Sequence, residues 1–136
     1  MDTRVEKTME KRKQGYNCAQ SVACTYCDMV GVDENVMFQM TEALGAGMGN
    51  MEGTCGAVSA ACVLAGMKNS TGNLQAPDSN KNTAKLSSAI LDKFIEKNQA
   101  VTCKALKGVE TGKALRSCPG CIQDAAALVE EVLFQD

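Results

Sequence analysis

The sequence predicts an all-α fold, a single-domain helical bundle of five to seven helices. Aromatic residues make up only 4% of the chain and Trp is absent, while 17 Ala and 8 Met supply much of the apolar content. That balance favours helices with small contact residues over sheets. Apolar residues recur at helical spacing in several separate stretches. At 136 residues the chain is about one domain's worth, enough to bury roughly two thirds of its unfolded surface in one core.

Val5, Met9 and Arg12 mark a first short amphipathic stretch, which Gly15-Tyr16 interrupts. A second helix is expected from about Asn17 to Met29, ended by Gly31. Asp33 has the character of an N-cap for a third helix to about Leu44, with Val36, Met37, Met40 and Leu44 on one face. Gly45 to Gly53 holds four Gly in nine residues and is expected to be a loop. From Thr54 to about Met67 nearly every residue is small and apolar, the pattern of a central helix buried on most sides. Residues 68–82 are polar and rich in turn formers, a surface connection with Pro77 or Ser79 opening the next helix. Leu86, Ala89, Ile90 and Phe94 then form an apolar stripe over residues 80–98, with Lys93 and Lys97 contributing a basic face. A short helix from Cys103 to Lys107 stops at Gly108. A final helix from about Ser117 to Phe134 carries Ala125, Leu128, Val129, Val132 and Leu133.

Charge and composition exclude several functions. A net charge of -2 and a pI near 5.2 lack the basic footprint that nucleic acid or an anionic membrane requires, so neither partner is expected. No run approaches 18 consecutive apolar residues, and no membrane span is expected. With no His, the chain cannot use a His-assisted nucleophile, a His-ligated metal or an imidazole switch. The N-terminal stretch MDTRVEKTMEKRKQG alternates charges without an apolar core, which points to a cytoplasmic location. Thiols there are kept reduced, and clustered Cys more often signal metal binding or redox chemistry than structural bridges.

The chain has eight Cys, at positions 18, 24, 27, 55, 62, 103, 118 and 121. Four follow residues of N-cap type, in the pairs Asn17-Cys18, Thr54-Cys55, Thr102-Cys103 and Ser117-Cys118. The expectation is four thiols at the first positions of four helices, where free amides and the positive dipole end lower thiol pKa values. Four such helix starts aimed at one point would suit a thiolate-metal assembly.

The stretches GYNCAQSV around Cys18, GAGMGNMEGTCGAVSAA around Cys55, TCKAL at Cys103 and CPGCIQDAA near the end resemble the C_GCAxxG_C_C family. These are small helical bacterial proteins to which a redox role is ascribed. The family's four Cys map to Cys18, Cys55, Cys103 and Cys118, and Cys121 falls where a different residue is expected. Ala60 stands where the family segment closes on Gly, and Gly45-Ala46-Gly47 replaces a triple-Gly run. The resemblance implies a redox role with an iron-sulfur or other metal centre, and names no reaction.

The quartet's 36, 47 and 14 intervening residues are unlike the close ligand pairs of zinc ribbons and fingers. An all-thiolate set on a helical scaffold suits an iron-sulfur cluster better, although ferredoxin spacings are missing. The leading expectation is therefore an electron-transfer or redox protein holding an iron-sulfur cluster through Cys18, Cys55, Cys103 and Cys118. The glycine-rich loop, with Gly47, Gly49, Gly53 and Gly56, would approach the cofactor through its backbone. A thiol-disulfide oxidoreductase or redox sensor using a Cys pair is the alternative, and a structural zinc module the third reading. Cys118-Pro-Gly-Cys121 has dithiol spacing without the strand-helix context of such motifs, which makes Cys121 a secondary redox candidate. Cys24, Cys27 and Cys62 are expected to pack in the core, and the mid-chain Met residues likewise. Lys81, Lys85, Lys93, Lys97, Lys104 and Lys107 could dock an acidic redox protein partner, but such a face is more often solvated. A homodimer is compatible with the exposed helix faces. No general acid or base, and hence no substrate, is named by the residues.

Overall fold

The computed structural model describes residues 1–135. Among these the only regular elements are helical, and the expected all-α class is correct. The helices are α1 (Val5–Lys13), α2 (Cys18–Tyr26), α3 (Glu34–Thr41), α4 (Gly45–Met48), α5 (Gly56–Asn69), α6 (Asn80–Asn98), α7 (Cys103–Lys107) and α8 (Cys118–Leu133). Short 3-10 turns follow α2 and α3.

Helix α5 is the axis of the bundle, and α2, α6 and α8 pack around it. Its Ala57, Val58, Ala60, Ala61, Leu64 and Ala65 are fully buried. Small side chains at these positions let neighbouring helices approach closely, since the distance between helix axes follows the side chains at the contact. Larger groups complete the core: Tyr26, Met37, Ile90, Phe94 and Ile122 have no exposed surface. Each large apolar side chain buried this way stabilises the fold by about 1.5–3 kcal/mol.

Local signals set the boundaries. Asn17 caps α2 through a complete capping box: its Oδ1 accepts from the Gln20 amide at 2.9 Å, and the Gln20 side chain accepts from the Asn17 amide at 3.0 Å. Gly31 and Gly108 adopt left-handed conformations at the ends expected for them. Helix α6 opens after Ser79 rather than at Pro77.

Three expectations need correction. The second helix is regular only to Tyr26 and finishes as a 3-10 turn, Cys27–Val30. The third covers Glu34–Thr41, and of its expected apolar face only Met37 is fully buried; Val36 and Met40 are about half exposed. Helix α3 lies at the outside of the bundle against α2, so one edge suffices to cover the core there. The Gly45–Gly53 segment is not all loop, because α4 forms a single turn in which Ala46 and Gly47 are left-handed.

Candidate functional site

The starts of α2, α5, α7 and α8 face one cavity of about 220 Å³. Its lining includes Cys18, Cys55, Cys103, Cys118 and Cys121, together with Gly56 and the cations Arg12, Lys107 and Arg116. The four cysteines singled out from the sequence are thus brought together, and the fifth, Cys121, joins them.

Different local devices position each thiol. Cys18 is the first residue of α2, behind the Asn17 capping box. Cys118 opens α8, where the Ser117 hydroxyl accepts from the Gly120 amide at 3.1 Å and Pro119 sits in the first turn. Cys103 opens α7 behind Thr102, whose side chain makes no cap hydrogen bond. Cys55 departs from expectation: it is itself the cap of α5, and Thr54 instead forms an isolated antiparallel bridge with Thr102. The chain must leave this bridge extended, so the helix begins one residue later than the Thr54 cap implied.

The glycines around the site differ in what they do. A Cβ on Gly56 would lie 2.5 Å from Cys18 Sγ, and one on Gly47 would lie 2.5 Å from Cys103 Cβ. A Cβ on Gly53 would lie 3.0 Å from the Gly47 carbonyl oxygen, which accepts from the Gly53 amide at 3.1 Å. Gly49 stands apart, with nothing within 4 Å of the position its Cβ would take. Ala46 lines the cavity with φ of 54°, and its amide faces the Cys18 sulfur.

The thiols are arranged as two pairs, Cys18 with Cys118 and Cys55 with Cys121. Hydrogen bonding from Cys18, helped by Arg12 and the charge of Lys107, outweighs burial and pulls the Cys118 thiol down to about 5. Cys18 shifts the opposite way, raised by donating to Cys118 and by burial. Hydrogen bonding from Cys121 and the amides of Ala57 and Val58 bring Cys55 to about 7 against the effect of burial. Cys121 is raised by the same hydrogen bond and by burial. Burial also raises Cys103. The expectation of four acidified thiols therefore holds for two, Cys55 and Cys118: Cys18 shares its proton with Cys118 and the two cannot both be anionic, while burial outweighs the helix start at Cys103.

The remaining thiols lie outside the cavity. Cys27 donates to the Cys24 carbonyl at 3.3 Å, and both are buried in the core, where desolvation holds Cys24 up at about 12. Cys62 lines a separate shallow groove beside Ser87.

The candidate metal donors are all thiols, as a cluster requires. Among the described residues, however, no three Cys, Asp or Glu side chains are placed to hold a metal ion. The paired sulfurs do not fit a metal as they stand.

A family model described as "Putative redox-active protein (C_GCAxxG_C_C)" matches residues 16–132. The chain belongs to the C_GCAxxG_C_C family. No curated protein and no solved structure is significantly similar to it. Membership assigns a redox role in general terms and covers every thiol of the cavity. Ala46 and Gly47 both have a left-handed backbone, which Gly adopts freely and Ala does not.

Sequence reasoning missed the cations. In the sequence Arg12 stands out only as part of an amphipathic stretch, and in the structure it sits in the last turn of α1. Arg116 directly precedes the Ser117-Cys118 cap, a placement that could have drawn notice. Lys107 belongs to a basic stretch of six Lys, half of which are in ion pairs: Lys93 with Glu131 at 2.8 Å, Lys97 with Asp124 at 2.6 Å, and Lys104 with Glu110 at 2.7 Å. No helix among the described residues is long and apolar enough to cross a membrane.

Proposed function

We propose that this member of the family is a thiol-disulfide redox protein in which Cys118 is the attacking thiolate and Cys18 the resolving thiol. The observation that carries the reading is the pairing of the partly exposed Cys118 with Cys18 at two capped helix starts beside Arg12. A thiolate is the nucleophile in disulfide exchange, and a cation with a hydrogen-bond donor keeps it ionised near neutral pH.

Cys118 attacks one sulfur of a substrate disulfide, forming a mixed disulfide and expelling a thiolate. That thiolate takes the Cys18 proton, and Cys18 then attacks the Cys118 sulfur and expels the second substrate thiolate, which is protonated by water. The protein loses two electrons, the substrate gains them, and the product is a Cys18–Cys118 disulfide. Cys55 and Cys121, both buried, form a second dithiol in the same cavity that can take over the oxidation by internal exchange.

The iron-sulfur reading is retained as a second proposal because all five cavity thiols are free of competing carboxylates among the lining residues. It keeps Cys18, Cys55, Cys103 and Cys118 as ligands and requires the two pairs to separate. Zinc held by the same thiols ranks below it.

Anaerobic purification followed by a visible spectrum, assays of iron, acid-labile sulfide and zinc, and thiol counting across an oxidation series decides between these. A colourless protein that loses two thiols per oxidation step, with Cys18 and Cys118 linked in the first, supports dithiol chemistry. Stoichiometric iron and sulfide, lost in Cys55→Ser, overturns it in favour of a cluster. Stoichiometric zinc without exchange activity overturns it in favour of a structural metal.

A further inference from the structure

The charge around the cavity is opposite to that of the protein as a whole. The chain carries a net charge of -2, yet its cavity is lined by Arg12, Lys107 and Arg116 and by no carboxylate among the described residues. Arg116 is held in place by Asp124, with Nε 3.1 Å from Oδ2 and a second contact of 3.3 Å. Arg12 and Lys107 have no ion-pair partner among the described residues. They line the cavity from the end of α1 and the end of α7, and the charge of each acts on Cys118.

Two cations without a carboxylate partner beside a nucleophile do more than acidify it. They attract a reactant of opposite charge and orient its anionic groups while its reacting atom approaches the thiolate. The cavity volume of about 220 Å³ is below the range of ordinary ligand pockets, so it admits one arm of a small molecule rather than a folded partner.

Resting on the dithiol reading above, we propose that the site takes a low-molecular-weight disulfide whose arms carry carboxylates, and that Arg12 and Lys107 bind those carboxylates during attack by Cys118. Attack breaks the substrate S–S bond and releases one carboxylate-bearing thiolate, and resolution by Cys18 releases the other.

Three disulfides of similar length and different charge test this on the full reduced chain: dithiodipropionate, hydroxyethyl disulfide and cystamine. Each rate of thiol release is divided by the rate of the same disulfide with mercaptoethanol thiolate, which removes intrinsic reactivity. The normalised rate for the dianion is expected to exceed that for the dication by about tenfold or more at low ionic strength, and to converge with it at high salt. Arg12→Gln and Lys107→Gln are expected to shrink the ratio, which compares two substrates on the same thiolate and is unaffected by a change in its pKa. A wild-type ratio at or below one overturns the anion selectivity and leaves the dithiol reading standing. No reaction with any of the three overturns the dithiol reading, and this proposal with it.

Discussion

The backbone amide of Cys55 donates to the carbonyl of Val101 at 2.7 Å, two residues before Cys103. The Cys103 amide returns a bond to the Gly53 carbonyl at 3.0 Å, and Lys104 donates to Met51 at 2.8 Å. This short ladder fastens the start of α5 to the start of α7 across 47 intervening residues. It leaves Cys55 and Cys103 on one wall of the cavity, while α2 and α8 bring Cys18 and Cys118 to it.

The reactivity of Cys118 should follow the state of its thiolate. With a pKa pulled down to about 5, the thiolate is present above that pH and lost as the pH falls through it. Alkylation by iodoacetamide, followed by peptide mapping, should show Cys118 modified first and at a nearly constant rate from pH 6 to 8. In Arg12→Gln the inflection should move upward. An inflection for Cys118 near 9 would contradict the arrangement.

The close approaches at Gly47 and Gly56 predict position-specific damage. Gly47→Ala combines φ of 55° with a contact of 2.5 Å to Cys103 Cβ, and should destabilise by about 2–4 kcal/mol in urea unfolding. Gly49→Ala meets no atom within 4 Å and incurs only the left-handed strain, about 1 kcal/mol. Conversely Ala46→Gly should stabilise by about 0.5 kcal/mol, since relief of its left-handed strain exceeds the added freedom of the unfolded chain.

Asn17 joins fold and site. Its side chain accepts from the Gln20 amide and donates to the Glu42 carbonyl at 2.9 Å. Asn17→Ala should lower stability by about 1–2 kcal/mol and loosen the start of α2. Slower trapping of a Cys18–Cys118 disulfide in the variant would confirm that the cap positions the thiol, and an unchanged rate would refute it.

Asp124 is nearly buried and accepts from Lys97, Asn98 and Arg116. Burial alone would raise its pKa, but the Lys97, Arg116 and Asn98 hydrogen bonds outweigh it and hold the carboxyl below 3.8. A depressed carboxyl contributes stability that is complete above the unfolded value and is lost as the pH falls through the folded one. Thermal unfolding should therefore show this contribution intact from pH 7 to 5 and declining below about 4. Asp124→Ala leaves the buried Asn98 amide without its acceptor, while the more exposed Lys97 and Arg116 can turn to water, and should destabilise by about 1–3 kcal/mol.

The chain's own pattern determined the helical class, most helix boundaries and the four thiols that meet. Cap residues, helix-ending glycines and the small apolar run of α5 act over a few positions, so they are visible in a linear string. Tertiary structure alone decided the pairing of Cys18 with Cys118 and of Cys55 with Cys121, the entry of Cys121 into the cavity, and which thiols are acidified. It also decided that Arg12 and Lys107 flank the site while Lys93, Lys97 and Lys104 are spent in ion pairs. Proton sharing and ion pairing depend on distances between residues far apart in sequence, and those distances are fixed only once α1, α2, α5, α6, α7 and α8 have packed together.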